Sequence, residues 1–133
     1  SKEGGEDVIR DPIRLTAADE VVVVSDVTEN SVMYLAHGNR QSLIDAARLA
    51  VEDCGRPPDV ERCFVSDCYS RALMLGHAFP QEVEGVCRAV AQFTDRTPEG
   101  VLALGEIAAN GQQNLEFFNK TFVVALTHRQ THE

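Results

Sequence analysis

The chain lacks several features that would each point to a class of function. Lysine occurs only at Lys2 and Lys120, and the formal net charge is −9. An acidic chain does not attract nucleic acid or anionic membranes, since both bind basic patches. No apolar run approaches the roughly 20 residues that span a bilayer, and no signal peptide is recognisable. The composition therefore predicts a cytoplasmic domain without nucleic-acid or membrane partners, and its lysine-poor, acidic surface suits a halophilic source.

Residues that hold metals, nucleotides or disulfides are few or badly spaced. The four cysteines show no Cys-x-x-Cys spacing, so we expect reduced thiols. The four histidines show no ligand spacing with cysteines or carboxylates, which argues against a metal site. No phosphate loop or dinucleotide fingerprint is present. We therefore predict no cofactor.

Apolar periodicity predicts one α+β domain, built as a single mixed β-sheet with two main helices packed on it. We expect strands at 8–15, 20–27, 31–37 and 60–66, and helices at 41–54 and from Pro80 to about Phe93. Ser42 with Asp45 suggests a capping box for the first helix. With the final hairpin, the order is β-β-β-α-β-α-β-β. Residues 8–128 form the domain, 1–7 a linker left from a longer protein, and 129–133 a polar tail.

The final hairpin contains polar residues inside apolar strands. Strands at 101–104 and 117–126 are expected on either side of an Asn110-Gly111 turn. Glu106, Asn119 and Thr121 interrupt this apolar stretch, and buried polar groups need partners. An unbulged ladder with an even loop would place these three side chains on one face. Alternatively, Glu106 is a solvated or locally paired carboxylate near a strand end.

A second group of candidates lies at 67–71, where a strand turns into a short helix. Arg71 offers a planar fork that can hold a carboxylate in two hydrogen bonds. Cys68 would be a reactive thiol if the helix N-terminus lowered its pKa. Structural roles are the alternatives: Asp67 caps the helix, Cys68 is a small buried residue, and Arg71 forms an ion pair with Glu82 or Glu106.

Several short motifs follow one another along the chain. They are Arg10 to Pro12, Cys68-x-x-Arg71, Leu75-Gly76, Glu82, the Gly-x-x-x-x-Gly-Glu-Ile strand at 100–107, and Asn119-x-Thr121 followed by apolar residues. Their order resembles that in the C-terminal half of the FIST domain family of intracellular signal-transduction sensors. The resemblance covers about residues 8–127 and includes one departure, Phe118 before Asn119, where the family often has histidine.

The resemblance implies a small-molecule sensory domain without enzymatic activity, with amino acids or their derivatives as the ligand class. It also implies an N-terminal FIST half and a kinase or chemoreceptor output module as partners. At the motif positions we expect Arg71 to hold a ligand carboxylate and Glu106 an ammonium group. Cys68, Asn119 and Thr121 complete the expected ligand-binding set.

Two other interpretations remain open. The motif residues could form an internal polar network in an interaction or structural module. Cys68 could instead serve as an enzyme nucleophile, alone or with His77. In every case we expect Arg71 to approach Glu106 and Asn119.

Overall fold

The structure is a computed structural model, which describes residues 8–109 and 115–129. Seven strands and three α-helices occur in this part of the chain, and they confirm the α+β class. In order they are β1 (Pro12–Leu15), β2 (Val21–Val23), α1 (Arg40–Asp53), β3 (Val60–Cys68), α2 (Tyr69–Leu75), α3 (Phe79–Val90), β4 (Glu99–Ala103), β5 (Glu106–Ala108), β6 (Glu116–Phe118) and β7 (Phe122–His128), with a 3₁₀ turn (Gly76–Ala78) between α2 and α3.

The central sheet has three strands in the order β4-β3-β7. Strand β3 runs parallel to β4 and antiparallel to β7, so the sheet is mixed, as predicted. The prediction of one sheet was wrong, because β1-β2 and β5-β6 form separate two-stranded sheets. Both hydrogen-bonding edges of β3 are already paired with β4 and β7, which leaves no central place for the short strands.

Helix α1 begins one turn earlier than its predicted capping box. Asn39 is the N-cap, and its side chain accepts a hydrogen bond from the Ser42 backbone N–H at 2.9 Å. The Ser42 hydroxyl accepts in return from the Asn39 backbone N–H at 3.3 Å, which completes a reciprocal box. The predicted Ser42–Asp45 box was therefore wrong, because asparagine caps a helix as well as serine does.

The apolar core lies between the central sheet and the pair of helices α1 and α3. Side chains alternate along β3, so Cys63, Val65 and Asp67 project to the helix-covered face. Cys63 is 2% exposed, and Val51 of α1 and Val90 of α3 are fully buried beside it. The core therefore ends at Asp67, a carboxylate on the same face of the strand as these apolar residues.

The predicted strand at 31–37 is absent, since residues 31–39 adopt no regular structure. Its apolar side chains are exposed, with Tyr34 at 85% and Val32 at 80%. Alternation and β-propensity suit a strand, but a strand forms only where a neighbour supplies hydrogen bonds, and no described residues pair with this segment.

The predicted long hairpin was also wrong. Strands β4 and β7 do not pair with each other, because β3 lies between them. A shorter ladder joins β5 and β6 and pairs Glu106 with Phe118. Glu106 therefore faces the same side as Phe118, not Phe117 as the even-loop parity required. The predicted Asn110-Gly111 turn lies outside the described residues.

Candidate functional site

A buried group of charged and amide side chains surrounds the carboxyl end of β3. We call it the polar cluster. Its members come from five parts of the chain: β3, α2, α3, β5 and the turn after β6. They are Asp67, Arg71, Glu82, Glu106 and Asn119, exposed by 5%, 2%, 1%, 2% and 1% respectively.

Protein acceptors surround the Arg71 guanidinium. Its Nη2 donates to the Leu43 carbonyl at 2.9 Å and to the Glu82 carboxylate, and its Nη1 donates to the Lys120 carbonyl at 3.3 Å. Its Nε lies 3.1 Å from Asp67 Oδ1. The Arg71–Glu82 pair is one of the structural alternatives considered above. Arg71, on α2, thus contacts β3, the helices α1 and α3, and the turn after β6.

Several acceptor atoms of the polar cluster have no hydrogen-bond partner. Both carboxylate oxygens of Glu106 lack an aligned donor, although the Cys68 thiol and the Ser66 hydroxyl lie near enough to favour its charged form. Glu82 Oε1, Asp67 Oδ1 and Asn119 Oδ1 also lack an aligned donor. The only donor in the same condition is Arg71 Nε, which faces Asp67 without forming an aligned hydrogen bond. Unpartnered buried polar atoms are uncommon because each loses its hydration. The cluster therefore holds more acceptors than donors.

Burial alters the acidity of two carboxyl groups in the cluster. It raises the pKa of Glu106 from 4.5 to about 7, against opposing effects of the Cys68 thiol, the Arg71 charge and the Ser66 hydroxyl. Burial, with the adjacent Glu82 charge, raises the pKa of Asp67 from 3.8 to about 7, although Arg71 opposes the shift. Each group therefore exchanges its proton near neutral pH.

The turn after β6 positions Asn119 and Thr121. Lys120 adopts a left-handed backbone conformation with φ 58°, which turns the chain between β6 and β7. Asn119 donates an amide hydrogen to the Leu104 carbonyl at 3.4 Å, and its Oδ1 accepts no hydrogen bond. The half-buried Thr121 hydroxyl donates locally to the Asn119 carbonyl at 3.2 Å. Of the two side chains, Asn119 is the one with unused hydrogen-bonding capacity.

The Arg10–Pro12 motif, near the N-terminal end of the described residues, contacts the same turn. Asp11 is 8% exposed, and its carboxylate lies 2.6 Å from the Lys120 ammonium. Arg10 donates to the Phe117 carbonyl at 3.0 Å. The first described residues are thus linked through Lys120 to the carbonyl that Arg71 binds.

Cys68 lies beside the cluster and is closed to solvent. It is 1% exposed, and its Sγ lies 3.2 Å from the Ser70 hydroxyl. Alternation directs Ser66 and Cys68 toward the face of the sheet opposite Asp67. Glu106 approaches from that side, so the candidate residues meet around the end of β3 instead of on one face.

Sequence reasoning did not place Asp67 or Glu82 among the ligand-binding residues. Asp67 was considered as a helix cap, but the N-cap of α2 is Cys68, which forms no side-chain cap hydrogen bond. Asp67 pairs instead with Arg71, four residues later. That i,i+4 spacing of opposite charges across a strand-to-helix junction was the available signal.

Two glycines allow the elements around the site to approach closely. A Cβ on Gly100 would lie 2.4 Å from the Val65 carbonyl oxygen, and one on Gly105 would lie 2.2 Å from the Phe117 ring. Gly100 therefore permits the β3–β4 pairing, and Gly105 admits the aromatic ring beside Glu106.

Three further findings concern a groove between two helices, metal binding and membrane spanning. A surface groove of about 480 Å³ runs between α1 and α3, and its lining, which includes Gln41, Gln81 and Gln92, contains no member of the polar cluster. Within residues 8–109 and 115–129, no group of histidine, cysteine, aspartate and glutamate side chains is placed to hold a metal ion. None of the helices in the same ranges is both long and apolar enough to cross a bilayer.

Comparison with known proteins yields one match. The family model of the FIST C domain matches residues 1–109, a range that includes Asp67, Arg71, Glu82 and Glu106. No curated protein and no solved structure shows a significant match. The chain belongs to the FIST C domain family, a family of sensory domains of signal-transduction proteins.

Proposed function

We propose that this domain is a cytoplasmic small-molecule sensor whose ligand binds at the polar cluster. The observation that carries the proposal is the set of buried, unpartnered acceptors on Glu106, Glu82 and Asn119. Apolar side chains at these positions would be buried with a smaller loss of free energy. An incompletely paired polar cluster is therefore more typical of a binding site than of a purely structural core. Amino acids or their derivatives are the ligand class that we propose.

The domain acts in this proposal as one part of a longer sensor. Residues 8–128 form the ligand-binding unit, and an N-terminal FIST half and a kinase or chemoreceptor output module complete the protein. The link from Asp11 to Lys120 gives the preceding chain a direct connection to the turn that carries Asn119. Ligand binding at the cluster would alter the position of this turn and thereby the Asp11–Lys120 contact.

Calorimetry and thermal-shift measurements with the common L-amino acids test the proposal. We expect at least one to bind, and Asn119→Ala to weaken its affinity about tenfold to a hundredfold, because a lost hydrogen bond to a charged ligand removes roughly 1.5–3 kcal/mol. Gln92→Ala, in the groove between α1 and α3, is the matched control and should bind like the parent. If no amino acid binds to the folded chain, the proposal is wrong.

An interaction or structural module is the second candidate function. It is favoured by one observation, the direct pairing of Arg71 with Asp67 and Glu82 inside the protein. In that case the cluster would only fix the fold. Asn119→Ala would then change stability, and no small ligand would bind.

We propose no enzymatic role for Cys68. Its thiol is 1% exposed, whereas Cys54 is exposed and His77 lies on the surface. We expect iodoacetamide at neutral pH to modify Cys54 well before Cys68, as followed by mass spectrometry of the digested protein. Faster labelling of Cys68 than of the other thiols would support the enzyme interpretation instead.

A further inference from the structure

The polar cluster indicates which kind of chemical group would complete its hydrogen bonds. Its atoms without an aligned hydrogen-bond partner include both oxygens of Glu106 and one oxygen each of Glu82 and Asn119, and all of these are acceptors once Glu106 is ionised. A ligand that satisfies them must bring hydrogen-bond donors. A ligand carboxylate would instead add acceptors to a cluster that already holds three carboxyl groups, on Asp67, Glu82 and Glu106.

Arg71 is the one cation in the cluster, and each of its nitrogens already faces a protein acceptor, Nε facing Asp67 Oδ1 at 3.1 Å. Its Nη2 serves Leu43 and Glu82, and its Nη1 serves the Lys120 carbonyl. The Phe122 ring covers the guanidinium, with its centroid 5.7 Å from Cζ. A carboxylate could reach Arg71 only by displacing these contacts. The sequence-based expectation that Arg71 holds a ligand carboxylate therefore fits the structure poorly.

A metal ion is a weak alternative source of positive charge. No described group of acidic, histidine or cysteine side chains has the arrangement of a metal site. A primary ammonium group needs fewer ligands, because it offers three hydrogen bonds and one charge. Glu106 and Asn119 supply acceptors of the kind that such a group requires.

We propose that the polar cluster binds the protonated amino group of its ligand, with Glu106 as the principal acceptor and Arg71 as a positioning residue. This inference rests on the proposed function, because it names the chemical class that the same site would recognise. It predicts that a ligand with a primary amine binds even without a carboxylate, as in amino-acid amides and simple amines.

Proton release should accompany binding. Glu106 is faced by Ser66 and Cys68 from β3 and by Arg71 from α2, and Asp67 is faced by Glu82 from α3, Arg71 and Glu106. Before a ligand binds, the carboxyl groups of Asp67 and Glu106 hold protons to about pH 7. An ammonium ion takes the place of a proton, so affinity should increase from about pH 5.5 to about pH 7.

Three matched sets of probes test the inference on the full chain. They are the common L-amino acids, their amides, which keep the ammonium and lose the carboxylate charge, and their N-acetyl derivatives, which do the reverse. We expect amides to bind within a few-fold of the parent amino acid and N-acetyl derivatives not to bind. Calorimetry in phosphate and in Tris should show buffer-dependent heats, because protons are released.

Variants separate the contact from a general structural effect. Glu106→Gln keeps the shape of the side chain, and we expect it to weaken binding of the amides about tenfold to a hundredfold. Glu84→Gln, on an exposed part of α3, is the control and should bind like the parent. Circular dichroism confirms that both variants are folded.

The possible outcomes distinguish the inference from the proposed function. Binding of N-acetyl derivatives without binding of amides would overturn the inference and leave a ligand-binding role intact. Amide binding that Glu106→Gln does not weaken would overturn the assignment of Glu106. Failure of all three sets to bind would overturn both.

Discussion

The middle and the carboxyl end of β3 lie in opposite environments although they are only a few residues apart. In the middle of the strand, Cys63 and Val65 pack against Val51 and Val90 in the apolar core. At its carboxyl end, Asp67 enters a cluster of carboxyl groups around Arg71. One strand therefore supports a stabilising core and leads directly into a destabilising group of side chains.

This difference separates the residues that stabilise the fold from those that we assign to function. Burial of apolar side chains stabilises the fold by an amount that does not depend on pH. Burial of carboxyl groups opposes folding unless a proton, a cation or a ligand compensates them. Conflict between a local side chain and fold stability is expected at functional sites. Among the described residues, every buried polar side-chain atom without a hydrogen-bond partner belongs to the polar cluster.

Arg71→Met should have the largest effect on this comparison. It leaves Asp67, Glu82 and Glu106 buried without a cation, and loss of one partner from a buried pair destabilises by about 3–5 kcal/mol. Urea unfolding at about pH 8 measures this loss. At about pH 5 the loss should be smaller, because the buried carboxyl groups bind protons.

The matched control is Arg48→Met. The exposed Arg48–Glu52 pair on α1 is solvated, so its removal should change the unfolding free energy by less than about 1 kcal/mol. Equal losses for Arg71→Met and Arg48→Met would contradict the description of the polar cluster as buried and charged.

Val51→Ala should have a smaller effect with a different dependence on pH. The side chain is fully buried in the core, so its truncation removes roughly 2 kcal/mol of transfer and packing energy. The same loss is expected at about pH 5 and at about pH 8. A strongly pH-dependent loss would show that the core and the polar cluster are energetically coupled.

Gly100→Ala and Gly85→Ala should change stability in opposite directions. A Cβ at Gly100 meets the Val65 backbone, which cannot move aside without disturbing the β3–β4 pairing, so we expect a loss of about 1–3 kcal/mol. Gly85 lies within α3 with open space around it, so alanine there should stabilise by about 0.5–1 kcal/mol. Thermal unfolding measures both. A neutral Gly100→Ala would show that the two strands are less closely paired than described.

Local patterns in the sequence were enough to predict the elements around the core. The stripe of apolar residues on α1, the Pro80 start of α3 and the apolar run of β3 all reflect neighbours within a few residues. The α+β class follows from them. Glu106 and Asn119 were recognisable because polar residues in apolar segments need partners, and Arg71 because its planar guanidinium follows a strand-to-helix turn. The structure buries all three.

Long-range pairing decided what the sequence could not predict. The register of Glu106 opposite Phe118 depends on a connection that local alternation does not specify. The apolar segment at 31–37 has strand composition, but strand formation depends on a neighbouring strand. The Arg71–Glu82 contact joins α2 to α3, and unlike the i,i+4 pair of Asp67 with Arg71 it depends on how the two helices pack.

The pH dependence of stability in the parent chain and in Glu106→Gln tests the central claim most directly. Asp67 and Glu106 keep protons to about pH 7 in the folded state, whereas the unfolded chain releases them near 3.8 and 4.5. The parent should therefore lose stability as pH rises from about 4 to about 7 and change little above that range, as far as these two groups are concerned.

Glu106→Gln removes one of the two titrating groups, so we predict a shallower pH dependence. At about pH 8 the variant should also be more stable than the parent by more than about 1 kcal/mol, since a shift of one pKa unit corresponds to about 1.4 kcal/mol. The measurement is the free energy of unfolding in urea at about pH 5 and about pH 8 for both chains. Equal pH dependence in the two chains, or a Glu106→Gln variant less stable than the parent at about pH 8, would contradict the claim that burial of the Glu106 charge outweighs the effects of Cys68, Arg71 and Ser66.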